Sequence, residues 1–255
     1  MQRASILVAA AAVACGVAGM TRSACAAIAP VSVGLDTVLP GGSNAEGITF
    51  GDKLYSNFTF SSTGDVTLAS SGVTLHFAES GNSQTLGFGM DLGVAGGQRA
   101  DVVLGYDVTV LDASRTIRSV GLTFDGGPRG SGTGRSAASL TETVATLNGS
   151  PLTPGGTSTG QISVFNDGPG GLDDNTSATL AINPTTGLHF TKDLIVSSRA
   201  GGGGAGVTDV ENAVTQNAGP TAVPLPLAAW AATPVLGAVL AITRPRRRRS
   251  TADSR

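Results

Sequence analysis

From about Pro30 to Val214 the apolar residues recur at every second position. Leu104, Tyr106, Val108 and Val110 alternate with Gly105, Asp107 and Thr109, and Val120, Leu122 and Phe124 with Gly121 and Thr123. Val73, Leu75 and Phe77 follow the same rule, as do Leu188, Phe190, Leu194 and Val196, with Lys192 standing out of the pattern. A period of two in β-branched and aromatic residues predicts strands with one buried and one wet face, which antiparallel sheets accommodate. The punctuation fits: Gly41-Gly42-Ser43-Asn44, Gly81-Asn82, Gly96-Gly97, Asp125-Gly126-Gly127-Pro128, Asn148-Gly149 and Gly168-Pro169-Gly170-Gly171. Each offers the backbone conformations that turns need. Helical periodicity is not sustained anywhere before the C-terminal region. Roughly ten strands over about 180 residues predict an all-β ectodomain, an antiparallel β-sandwich of jelly-roll-like type. Its core would come from Val, Leu, Ile and eight Phe.

The two ends follow other patterns. Residues 1–26 combine Arg3, an uncharged Ala/Val-rich stretch from Ile6 to Gly19, and small residues Ala24 and Ala26 flanking Cys25. That layout predicts a secretory signal peptide, cut by signal peptidase after Ala26. Both cysteines, Cys15 and Cys25, lie inside it. A processed chain would therefore carry no disulfide, although an exported setting permits them. At the other end, Val223-Pro224-Leu225-Pro226 precedes an uncharged run at 227–243 and then Arg244, Arg246, Arg247, Arg248 and Arg249. At a rise of ~1.5 Å per residue the run covers roughly 25 Å, close to the minimum for a membrane-spanning helix. The arginines direct this end to the cytoplasm and leave the body of the chain across the membrane.

A Val-Pro-Leu-Pro box, an apolar span and a terminal arginine cluster resemble the PEP-CTERM sorting domain in its VPLP-type variant. The resemblance covers roughly residues 222–249 and departs from the commonest form in having Leu225 where Pro-Glu-Pro carries Glu. It implies a bacterial surface or secreted protein whose tail is processed by an exosortase-type enzyme. The segment from Gly51 to Phe60, and Thr191-Lys192-Asp193, are similar to the Gly/Ser/Thr-rich β-proteins that carry such tails. The expected organisation is thus a signal peptide (1–26), a β-sandwich (27–215), a linker (216–222) and a sorting signal (223–249).

Charge sharpens this picture. The whole chain is nearly neutral at −2, but between Ala27 and Ala222 there are 17 acidic and 8 basic side chains, a balance near −9. An acidic body, in a chain with only 4% aromatic residues, disfavours nucleic acid as a partner.

Candidate chemistry is sparse. Gly156-Thr157-Ser158-Thr159-Gly160 matches the nucleophile-elbow string, but a Pro/Gly-rich loop precedes it and a strand-like segment follows, where that motif requires strand then helix. His76 and His189 each sit between two core-type residues, so alternation turns both away from the core. Glu142, between Leu140 and Val144, interrupts an apolar face and reads as an edge-strand charge that blocks sheet-to-sheet association. Tyr55, out of phase with Leu54, Phe58 and Phe60, reads as an outward ring suited to a sugar. The oxygen-rich loop at Asn166–Asn175, with Asp167, Asp173 and Asp174, has the composition of a Ca²⁺ site without the EF-hand spacing. Together these features predict an exported, noncatalytic surface or extracellular-matrix protein without a required cofactor. Its expected partners are signal peptidase, an exosortase-type enzyme, the membrane through its C-terminal helix, and exopolysaccharide. The alternative is a carbohydrate-binding module, Ca²⁺-dependent through the Asp167 loop.

Overall fold

The computed structural model describes residues 31–129, 135–168 and 174–217. They form twelve strands: β1 (Val31–Gly34), β2 (Ile48–Phe50), β3 (Lys53–Gly64), β4 (Val73–Ser80), β5 (Ser83–Val94), β6 (Arg99–Val110), β7 (Ile117–Pro128), β8 (Ser136–Thr146), β9 (Thr159–Asn166), β10 (Ser177–Thr185), β11 (Gly187–Ser198) and β12 (Ala205–Gln216). Short 3₁₀ turns at Leu35–Thr37 and Ser70–Gly72 are the only helical pieces among the described residues. Two six-stranded antiparallel sheets result, ordered β1-β4-β5-β12-β7-β10 and β2-β3-β6-β11-β8-β9.

The topology follows from one long hairpin rolled on itself. β8 pairs with β9, β7 with β10, β6 with β11 and β5 with β12, a nested set in which each pair is enclosed by the next. Rolling that ribbon places β5-β12-β7-β10 in one sheet and β6-β11-β8-β9 in the other, the jelly-roll order. β1 and β4 widen the first sheet, while β2 and β3 widen the second. β12 extends to Gln216, one residue into the segment read from sequence as linker. The segments read from sequence as signal peptide and sorting signal, with Ala24, Ala26, Val223–Pro226 and the arginines, lie outside the described residues.

Alternation is regular where it was legible: Ala100, Val102, Leu104, Tyr106, Val108 and Val110 of β6 all point into the core, as do Leu188, Phe190, Leu194 and Val196 of β11. Two expectations need correction. Tyr55 is buried rather than outward, with its ring edge-on to Phe77 at 5.1 Å. The cause is a β-bulge: the β3–β6 register shifts between Ser56 and Thr59, and Asn57 adopts φ 54°. One extra residue reverses the phase, so Lys53 and Tyr55 face inward before the bulge and Phe58 faces inward after it. Glu142 is not on an edge. Its strand β8 lies between β11 and β9, and its side chain is wholly buried opposite Lys192.

The second buried lysine, Lys53, closes one end of the sandwich. Its Nζ donates to Asp52 Oδ1 at 3.0 Å, while Gln84 and Gln216 donate to the two Asp52 oxygens at 3.2 and 2.9 Å. Burial by itself would raise the Asp52 pKa. The hydrogen bonds from Gln216 and Lys53, with the charges of Lys53 and Arg115, outweigh it and hold the carboxyl below its ordinary 3.8. Its stabilisation is therefore complete above pH 3.8 and drains away as pH falls through the lower folded value. Asp52→Ala strands a buried ammonium and should cost about 3 kcal/mol in urea denaturation, whereas Asp52→Ala with Lys53→Met should recover most of that loss. Equal losses in the single and double variants would show that Lys53 does not depend on Asp52.

Candidate functional site

The outward face of the first sheet carries a cluster of partly exposed polar side chains, His76, Asp209 and Glu211. Its geometry begins with residues of opposite size on neighbouring strands. His76 on β4 is aligned with Gly87 on β5, and Gly87 in turn with Glu211 on β12. Because Gly87 has no side chain, the His76 imidazole lies flat across β5 and reaches β12; a Cβ at Gly87 would collide with His76 Nε2. The ring nitrogen then stands 3.5 Å from Asp209 Oδ2 and 3.8 Å from Glu211 Oε1. Asp209 Oδ1 is buried without a hydrogen-bond partner. Burial raises the Asp209 pKa, His76 opposes that rise, and the neighbouring Glu211 and Asp125 charges add to it.

One nitrogen and two carboxylate oxygens, all within 4.8 Å of one another, form a donor set for a divalent metal. Zn²⁺ binds such ligands at about 2.1 Å in a tetrahedron, which puts donors about 3.4 Å apart. The imidazole favours a transition ion over Ca²⁺, which prefers all-oxygen shells. Asp209 and Glu211 also border an open groove of about 350 Å³ with Thr123, Asp125, Thr176 and Ser177. A second groove of about 300 Å³, lined by Asp125, Arg129, Asn166 and Thr208, shares Asp125 with it. The combined surface offers hydroxyls, carboxylates and one guanidinium along the edges of β7 and β12.

On the outward face of the other sheet, His189 Nδ1 lies 2.6 Å from Asp107 Oδ1, and Thr191 Oγ1 lies 3.2 Å from His189 Nε2. This has the connectivity of hydroxyl, base and orienting acid found in triads. Asn57 Nδ2 donates to the second Asp107 oxygen at 2.7 Å, so the same chain of contacts braces the bulge that turns Tyr55 inward. Both histidines face outward, as alternation predicts, yet each has carboxylate partners on other strands, His76 two strands away on β12 and His189 on the adjacent β6, that spacing could not reveal.

The loop expected to bind Ca²⁺ is described in part. Asp173 lies outside the described residues. Asp167 and Asp174 are brought together, with the Asp167 amide donating to Asp174 Oδ1 at 3.2 Å, and the Gly168 amide donating to Asn166 Oδ1 at 3.0 Å. These side chains complete the loop's own backbone bonds, the ordinary use of Asx residues in turns. Asp167 Oδ1 is buried and has no hydrogen-bond partner. Ser158 of the Gly-x-Ser-x-Gly string stands one residue before β9, in a loop that leads into a strand.

No family model and no curated protein matches this chain. Among solved structures, it is similar to TmCBM61 in complex with β-1,4-galactotriose at 14% identity and a TM-score of 0.28, over 60% of this chain and 86% of that one. It is also similar to the enzymatically active domain of tailspike protein 4 from bacteriophage CBA120, at 17% identity and a TM-score of 0.23, over 71% of this chain and 21% of that one. Scores this low leave the site to be read from its own geometry.

Zn²⁺ titrated into the chelator-treated protein should bind with one-to-one stoichiometry in calorimetry. His76→Ala should weaken that binding by at least about tenfold, since even outer-shell changes at metal sites cost that much. Affinity should rise with pH through the elevated Asp209 value, because a ligating carboxyl must first lose its proton. Binding that is unchanged in His76→Ala would place the ion elsewhere.

Proposed function

We propose that this chain is an exported, noncatalytic surface or extracellular-matrix protein: a jelly-roll body delivered by an N-terminal signal peptide and sorted through the VPLP-type C-terminal segment. The observation that carries this reading is the bracketing of one strand-built body by two addressing patterns, residues 1–26 and 223–249. In this reading, signal peptidase cuts after Ala26, and an exosortase-type enzyme acts on the tail bearing Val223-Pro224-Leu225-Pro226 and the arginines. The 227–243 segment holds the protein in the membrane until then. The acidic balance of the body suits an aqueous exterior and repels polyanions. The Asp107–His189–Thr191 chain serves as a brace for the β3 bulge rather than as a catalytic triad.

A second reading, carbohydrate binding, is favoured by one feature: the open hydroxyl- and carboxylate-lined groove beside His76, Asp209 and Glu211. A divalent ion there would coordinate vicinal sugar hydroxyls, with Thr123 and Ser177 adding hydrogen bonds. Such a role is compatible with display in an exopolysaccharide matrix.

Fractionation of the native host tests the first reading. The protein should be found in the envelope and medium, begin at Ala27, and accumulate as a larger membrane-bound form when the Arg244–Arg249 cluster is replaced by serines. Intact chain in the cytosol with both termini retained would contradict it. Panels of ester and polysaccharide substrates should give no turnover. Turnover that vanishes in His189→Ala would instead make the Thr191 network catalytic. Glycan arrays run with Zn²⁺, with Ca²⁺ and with chelator separate the second reading, which needs metal-dependent binding abolished by His76→Ala.

A further inference from the structure

Four polar side chains meet in the middle of the core, between the two sheets. Lys192 on β11 and Glu142 on β8 are cross-strand partners, both completely buried, and Lys192 Nζ contacts Glu142 Oε2. The other carboxylate oxygen, Glu142 Oε1, accepts a hydrogen bond from Asn212 Nδ2 at 2.9 Å. Asn212 belongs to β12 in the opposite sheet. Its Oδ1 accepts a hydrogen bond from Tyr106 Oη at 2.6 Å. Aromatic rings seal the group: Lys192 Nζ lies 5.9 Å from the Phe88 ring centre, and Phe190 stacks on Tyr106 at 4.9 Å. One carboxylate therefore holds an amine on one oxygen and a primary carboxamide on the other, in a water-poor setting.

We propose that Lys192 and Asn212 react to form an intramolecular isopeptide bond, Nζ to Cγ, with loss of ammonia and with Glu142 carrying the protons. Glu142 bridges the two reactants, one on each carboxylate oxygen, and Tyr106 is hydrogen-bonded to the amide oxygen. Lys192 passes one proton to the carboxylate it touches and becomes a neutral amine. Burial lowers its pKa, against the opposing charge and hydrogen bond of Glu142, which favours that nucleophilic form. The amine lone pair attacks Asn212 Cγ, and the carbonyl π electrons move to Oδ1. Tyr106 Oη, already aimed at Oδ1, stabilises the oxyanion as it develops. Burial pushes the Tyr106 hydroxyl well above its ordinary pKa, so it remains a donor.

Glu142 then gives its proton to Nδ2, to which it is already hydrogen-bonded, and the C–N bond breaks with release of NH₃. It recovers a proton from the attacking nitrogen as the new amide forms. The balance closes. An ammonium, a carboxylate and a carboxamide become a secondary amide, a carboxylic acid and ammonia, with no oxidant, cofactor or other reactant. The new bond would join β11 of one sheet to β12 of the other, a covalent tie between the sheets that uses no cysteine.

Mass spectrometry of the folded full-length protein tests this at peptide level. Proteolysis should yield a branched peptide joining the Lys192 and Asn212 segments, lighter by about 17 Da than the sum of its two parts, as loss of ammonia requires. Glu142→Gln should abolish the branched peptide, and Tyr106→Phe should slow its appearance after refolding. Circular dichroism on each variant establishes that it is folded before its peptides are scored. Where Glu142→Gln does not fold, Asn212→Asp serves in its place: the same cross-link would then form with loss of water, about 18 Da. Separate, unmodified Lys192 and Asn212 peptides from folded wild-type protein would overturn the proposal. So would a deficit of about 18 Da in the wild type mapped to Lys192 and Glu142, which would mean amide formation with the glutamate instead.

Discussion

The buried ion pair of Lys192 and Glu142 is the constraint around which the sandwich is organised. Two charges removed from water are costly, and their mutual attraction offsets that cost only when the remaining donors and acceptors are also matched. Here the match comes from the other sheet. Asn212 reaches from β12 to Glu142 and also donates to the Gly121 carbonyl at 3.1 Å, while Tyr106 reaches from β6 to Asn212. The network therefore exists only when both sheets are in register and face to face. An apolar core of similar volume could tolerate sliding of one sheet over the other; this one cannot slide without stranding a charge.

The rolled hairpin supplies the positions. Nesting β5 with β12 and β6 with β11 puts Asn212 and Lys192 on facing strands of the two sheets, near the middle of each. The same pairing sets the outer faces. It aligns His76, Gly87 and Glu211 across three neighbouring strands, so a histidine of β4 meets carboxylates of β12 over a glycine floor. Inner network and outer cluster thus share β12, whose inward residues hold the core and whose outward residues line the groove. The bulge at Asn57 is a local exception to this regularity. It turns Tyr55 inward, beside the Lys53 cluster that closes one end.

Much of the fold was legible because alternation is a local signal. Leu104 to Val110 and Leu188 to Val196 announce strands by their own spacing, and the two-sheet class follows from the number of such segments. Lys192 and Glu142 were visible too, as polar residues at apolar positions. Their meaning was not, because a charge on an inward face has no reading until its partner is known. That partner lies fifty residues away for the ion pair and in the other sheet for Asn212. Tyr55 was misassigned for a similar reason: a bulge leaves no mark on composition, only on phase. The His76–Asp209–Glu211 cluster depends on the pairing of β4, β5 and β12, which spacing cannot give. Its faint sequence sign is the run of glycines at alternate positions, Gly87 and Gly89, on an outward face.

A double-mutant cycle between Glu142 and Asn212, read as equilibrium stability in urea, tests most directly whether the inner network binds the two sheets together. Glu142→Leu and Asn212→Leu should be non-additive by at least about 1 kcal/mol, because each alone leaves the other residue without their shared hydrogen bond in the core. Additive losses would mean that the sheets are held by apolar contact alone, and that the polar centre is incidental to the fold.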